Sequence, residues 1–157
     1  MTGMDVLERC RAYERDMERL RLQVAMARDA VTRATRSAET IGHGGGEDRM
    51  AAFAARADAI ARAMDARTAM HEAELLEAAR LIAALDPSQG AAVYQLFVRG
   101  QTVRQTAAAM HTTEPSVRGL RRRARDALLL MGSQLGEDYA GAAERYAEAI
   151  AAARLNG

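Results

Sequence analysis

Apolar residues recur along the first forty positions at steps that alternate between three and four. Val6, Cys10, Tyr13, Met17, Leu20, Val24, Ala27, Val31, Ala34, Ala38 and Ile41 all fall on this frame, and Glu and Arg crowd the positions between them. A 3.5-residue repeat sustained this long predicts a coiled-coil-like helix whose single apolar seam needs a partner. The run ends at Gly42-His43-Gly44-Gly45-Gly46, a helix breaker. A second stripe passes through Met50, Phe53, Ala57, Ile60, Met64, Thr68, His71, Leu75, Ala78, Ile82 and Leu85, with a repeated step of four at Met64 to Thr68 that marks a local change of phase. Each arm spans roughly 55 Å at 1.5 Å per residue. Equal arms and a short connection predict a long antiparallel helical hairpin over residues 1–85. Alanines 27, 34, 38 and 57 would let the two backbones approach closely. Pairing between chains through the first helix satisfies the same pattern, so a homo-oligomer built on the N-terminal helices stays open.

The punctuation changes after Leu85. Asp86-Pro87-Ser88-Gln89 offers an N-cap, a proline at the first helical position and a Gln three residues past the cap. The helix it opens carries Ala91, Val93, Tyr94, Leu96, Phe97 and Val98 and stops at Arg99-Gly100. Thr102-Val103-Arg104-Gln105 repeats the capping-box pattern and opens a short helix through Met110. A tight connection at His111-Thr112-Thr113 follows, and Glu114-Pro115-Ser116 opens a longer helix. These elements form a small domain over residues 86–135. Gly132 and Gly136 then precede an amphipathic tail helix, from about Glu137 to Arg154 within residues 136–157, with Tyr139, Tyr146 and Ile150 at helical spacing.

Composition agrees with an all-α chain. Hydrophobic residues make up 49% of 157, but 36 of them are alanine, aromatics are 4%, Trp is absent and there are only two prolines. Such a chain favours helix and lacks the β-branched and aromatic runs of sandwiches, Rossmann folds and TIM barrels. All 22 basic residues are Arg, and the net charge of +1 is an average. The basic excess sits in residues 86–135, with seven Arg against three acids. A lone Cys10 permits no internal disulfide, no apolar run approaches the ~20 residues that span a bilayer, and no signal peptide is evident. The reading is of a cytoplasmic protein with no membrane partner.

Within residues 86–135, Ala107, His111 and Val117 occupy the three diagnostic places of a helix-turn-helix. These are a small residue where the helices cross, a left-handed turn position, and a β-branched residue that tucks the second helix into the core. Met110, Val103 and Leu120 complete the apolar contacts. On the second helix Val117, Leu120, Ala124, Ala127 and Leu128 share one face, and Arg118, Arg121, Arg122 and Arg125 form a stripe beside it. Guanidinium groups fork onto phosphate oxygens or onto guanine O6 and N7, which suits a DNA major groove. The first turn, Glu114 to Gly119, would meet base edges, while Arg121, Arg122, Arg123 and Arg125 would hold phosphates. Four arginines on a helix also describe an ordinary solvated face, partly offset here by Asp126.

Gly100-Gln101-Thr102, Gln105-Thr106-Ala107, Met110 and Thr113-Glu114-Pro115-Ser116-Val117, ending at Ala124, resemble the marks of bacterial sigma-factor region four. Residues 5 to 135 as a whole resemble the phage-encoded RinA- and ArpU-type transcription regulators, in which a paired-helix segment precedes a region-four-like helix-turn-helix; Ile82, Leu85, Asp86 and Tyr94 to Gly100 carry that match. Gln105, Thr106 and Arg125 depart from the pattern, and the tail from Glu137 lies outside it. The resemblance implies binding of double-stranded DNA in phage or prophage gene control. It places base contacts on Glu114, Pro115, Ser116, Arg118 and Gly119, with Thr102 and Arg104 near phosphates. Since Pro115 and Gly119 offer little hydrogen bonding, Arg118 is the principal base reader.

Two rival readings stand beside this one. The head would instead dock on RNA polymerase or a sigma factor, or the chain would be a phage packaging-initiation protein of the small-terminase kind, forming rings. Cys10, His43, His71 and His111 lack metal-ligand spacing. His71 reads as a packed histidine and Cys10 as a small core residue. Glu72 and Glu77 point to different sides of the helix, and with Glu74 they imply no pocket. No nucleophile, phosphate loop or paired carboxylate is evident, so the expectation is no enzyme, no cofactor and no metal.

Overall fold

In a computed structural model the chain folds as α1 (Gly3–Ile41), α2 (Gly45–Ala83), α3 (Pro87–Val93), a π-helical turn (Tyr94–Val98), α4 (Val103–Ala109), α5 (Glu114–Leu130) and α6 (Glu137–Leu155). The structure describes residues 1–41 and 45–155, and the side chains of all of these except 38–41, 45 and 46. α1 and α2 form a long antiparallel pair within one chain. Gly45 and Gly46, expected in the connection, are already helical; the rest of that connection, residues 42–44, lies outside the described residues, as do the side chains of Ala38 and Ile41. No helix among the described residues is long and apolar enough to cross a membrane.

The first stripe is the buried face of α1. Val6, Cys10, Met17, Leu20, Val24 and Ala27 are buried, and Tyr13, Val31 and Ala34 are half-buried. On α2 the seam departs from the expected stripe only in part, since Ala57, Ile60 and Ala78 of that stripe are buried. From Ile60 onward a buried row runs through Ile60, Ala63, Arg67, Met70, Glu74, Glu77 and Leu81 at alternating steps of three and four, with Ala66 and Ala78 buried beside it. Met64, Thr68, His71 and Leu75 flank it and are half-buried. The phase change read at Met64 is therefore where the apolar pattern leaves a seam that itself continues through three charged residues.

Contacts divide the chain into two units. The first comprises residues 1–13 and 71–137, the second residues 14–70 and 138–157. In the second unit the buried faces are Met17, Leu20, Val24 and Ala27 on α1, Ala57, Ala59, Ile60, Ala63, Ala66 and Met70 on α2, and Tyr139, Ala142, Ala149 and Ala153 on α6. The buried face of α6 is thus centred on alanine, and Tyr146 and Ile150 flank it half-buried. Alanine buries only a methyl group, so this unit relies on many small contacts. It also buries the Arg67 guanidinium, whose Nε lies 3.4 Å from Asp16 Oδ2.

The first unit packs larger side chains. Met4, Val6, Leu7 and Cys10 from α1, Ala78 and Leu81 from α2 and Leu85 beyond its end share one core with Val93, Leu96, Phe97, Ala107, Val117, Ala124 and Leu128. The approach is close at Gly3, where a Cβ would meet Leu81 Cδ2 at 2.9 Å and the Leu128 carbonyl oxygen at 3.2 Å. At the start of α1 the Thr2 hydroxyl accepts from Asp5 N at 3.2 Å, and Thr2 N donates to Asp5 Oδ2 at 2.7 Å, a reciprocal cap. The bond from Thr2 N, with one at 2.9 Å from the Thr2 hydroxyl to the same oxygen, holds the Asp5 carboxyl below its ordinary value. His71 stacks on Tyr13, with ring centroids 3.8 Å apart and planes 2° from parallel. Cys10, the single cysteine of the chain, is buried.

Candidate nucleic-acid interface

Each element of the head is set by local chemistry. Pro87 occupies the first turn of α3, where a missing N–H costs nothing. Asp86, expected to cap that helix, makes no side-chain bond to its backbone; its Oδ2 instead lies 3.5 Å from Gln89 Nε2. The π turn ends with Arg99 N donating to the Tyr94 carbonyl at 3.0 Å and with Gly100 at φ +66°, a left-handed position that glycine adopts without strain. Thr102 and Gln105 form the expected capping box at the start of α4.

The turn between α4 and α5 is a Schellman motif. Thr112 N donates to the Ala107 carbonyl at 2.9 Å and His111 N to the Ala108 carbonyl at 3.3 Å, with His111 at φ +53°. His111 thus fills the left-handed position expected of it. Thr113 caps α5, its hydroxyl accepting from Ser116 N at 3.3 Å and donating to Ser116 Oγ at 2.9 Å. Ala107, Val117, Ala124 and Leu128 are buried where α5 packs on α3 and α4, while Val103, Met110, Leu120 and Ala127 are half-buried. Thr106 is fully buried, and its hydroxyl has no hydrogen-bond partner among the described residues.

Of the residues assigned to base edges, Glu114, Ser116 and Arg118 are exposed on the first turns of α5 and Gly119 is half-buried. Glu114 and Arg118 face each other one turn apart, with Oε1 and a terminal guanidinium nitrogen separated by 3.8 Å, a loose pair that both partners can leave. A Cβ on Gly119 would make only an ordinary contact, 3.6 Å from an Arg123 nitrogen. Among the phosphate candidates Arg122, Arg123 and Arg125 are exposed on α5, Arg121 is half-buried, and Thr102 and Arg104 are exposed at the start of α4.

The segment after α5 holds residues that pattern alone did not promote. The buried Glu77 carboxylate accepts from Arg80 Nε at 3.1 Å and from Gln134 N at 2.9 Å, and an Arg80 terminal nitrogen donates to the Gly132 carbonyl at 3.1 Å. The Arg80 bond, with Gln134 N adding to it, holds the Glu77 carboxyl below its ordinary range. Gly3 N donates to the Met131 carbonyl at 2.8 Å and Ser133 N to the Met1 carbonyl at 3.1 Å, around a single bridge between Thr2 and Gly132. The end of the Arg-bearing helix is thereby fastened to the start of α1 and the last turns of α2. The available signal is the Glu-x-x-Arg spacing of Glu77 and Arg80 on α2. Among the described residues no group of three His, Cys, Asp or Glu is placed to hold a metal ion. Compared with family models, curated proteins and solved structures, the chain matches none.

Proposed function

We propose that the chain is a DNA-binding transcription regulator that lays α5 in the major groove of duplex DNA. The observation that carries this reading is the turn at His111. Its left-handed backbone and Schellman bonds, with Ala107 and Val117 buried, seat α5 on α4 while Ser116, Arg118, Arg122, Arg123 and Arg125 stay exposed. Arg118 reads a base edge and the later arginines hold phosphates. The resemblance to phage regulators assigns the target genes to a phage or prophage.

Binding to labelled duplex DNA across a salt series tests the reading. The affinity falls with a log–log slope of about −4 to −6, near −0.9 per phosphate neutralised. Arg118→Ala relaxes sequence preference, whereas Arg122→Ala weakens all sequences alike. Gly119→Ala stabilises the free protein by up to about 1 kcal/mol, because glycine is a poor helix former, yet weakens DNA binding if bases approach that backbone closely. Absent or salt-insensitive binding refutes the reading. Genome-wide recovery of bound DNA then supplies the operator.

A further inference from the structure

We infer that Arg11, on α1, is a DNA-phosphate contact, so that the nucleic-acid surface extends beyond the helix-turn-helix onto the first helix of the hairpin. The inference rests on the DNA-binding reading above. Arg11 is exposed, and its guanidinium carbon lies 5.7 Å from the centroid of the Phe97 ring. It makes no ion pair or hydrogen bond among the described residues, and Glu8, one turn earlier, does not draw it away. A cation resting on an aromatic face keeps its charge and its outward N–H edges while losing part of its rotamer freedom. Less ordering therefore remains to be done when a phosphate arrives.

Phe97 connects Arg11 to the head. The ring belongs to the π turn, two residues before Arg99 and three before the left-handed Gly100, and the chain then enters the capping box of α4 at Thr102. Arg99 and Arg104 are exposed on either side of Gly100. α4, which Thr102 caps and which carries Arg104, packs against the Phe97 turn, and α1 contributes a further cation at that turn. Covering Phe97 with the aliphatic stem of Arg11 accounts for the packing alone. A methionine would do the same, so substitution separates the two roles.

The test compares wild type, Arg11→Met, Arg11→Lys and Arg154→Met for binding to one duplex from low to high salt, with thermal melts of each. If Arg11 contacts a phosphate, Arg11→Met melts as wild type does, binds several-fold more weakly at low salt and loses about 0.9 from the salt slope. Arg11→Lys keeps the slope, and Arg154→Met, which removes the same charge from α6, leaves it unchanged. Wild-type binding with an unchanged slope for Arg11→Met overturns this inference and leaves the DNA reading standing. An equal loss of slope in Arg154→Met overturns it too, by making the effect one of net charge. Absence of salt-dependent binding by wild type overturns the DNA reading itself.

Discussion

His111 and Thr106 are five residues apart, the one in a left-handed backbone conformation and the other with a buried, unpartnered hydroxyl. A side chain at φ +53° carries a Cβ that crowds the following carbonyl, at a cost of roughly 1 to 2 kcal/mol. His111→Gly removes that strain, partly offset by the greater freedom of glycine in the unfolded chain. The expected outcome is a gain of about 0.5 to 1 kcal/mol in urea denaturation, and a loss would mean that the imidazole makes a contribution of its own. Thr106 is fully buried with an unpartnered hydroxyl. Thr106→Val keeps the shape and removes the unmet polar group, so it should stabilise by about 1 kcal/mol in the same measurement. Both positions were legible in the sequence, His111 through its distance from Ala107 and Val117, and Thr106 as a departure where the resembling pattern carries Ile.

Among the elements, α2 shows where pattern reading stops. Its seam through Arg67, Glu74 and Glu77 keeps a regular spacing, yet a hydrophobicity count steps aside to Met64, Thr68 and His71. Charged side chains enter a seam only when partners are supplied, and some of these come from distant segments, as with Asp16 for Arg67 and Gln134 N, beside the nearby Arg80, for Glu77. By contrast the α1 seam, the caps of α4 and α5 and the bounds of α6 depend on neighbours within a few residues, and the sequence shows them directly. The Glu77 latch has a pH signature. Its folded carboxyl binds a proton less readily than the unfolded one, so the stability it confers is complete above about pH 4.5 and is lost as pH falls through the lower folded value. Glu77→Gln should cost about 1 to 2 kcal/mol at pH 7. The gap from wild type should close in acid titrations followed by circular dichroism, and a gap independent of pH would show that the carboxylate charge is immaterial.

For the whole molecule, α3, α4 and α5 share one core with the start of α1 and the end of α2. Val93, Leu96, Val117 and Leu128 close on Leu7, Cys10 and Leu81, which lie outside residues 86–135. A fragment of residues 86–135 should therefore lack a cooperative thermal transition and dispersed amide resonances. A fragment that melts cooperatively would contradict this. Sequence punctuation marks the starts of α3, α4 and α5, but it carries no sign of which distant residues complete the core.

The bridge between Thr2 and Gly132 also sets a schedule for synthesis. Its partners are separated by 130 residues, an interval of roughly 6 to 26 s at ribosomal rates of about 5 to 20 residues per second. During that time Val6, Leu7 and Cys10 lie on an amphipathic helix whose final partners do not yet exist, and the local pairing of α1 with α2 is the first shelter available to it. Turns made 130 residues before Gly132 thus wait for the segment that completes their burial. Destabilising the hairpin would lengthen their exposure in the nascent chain before it altered the finished fold.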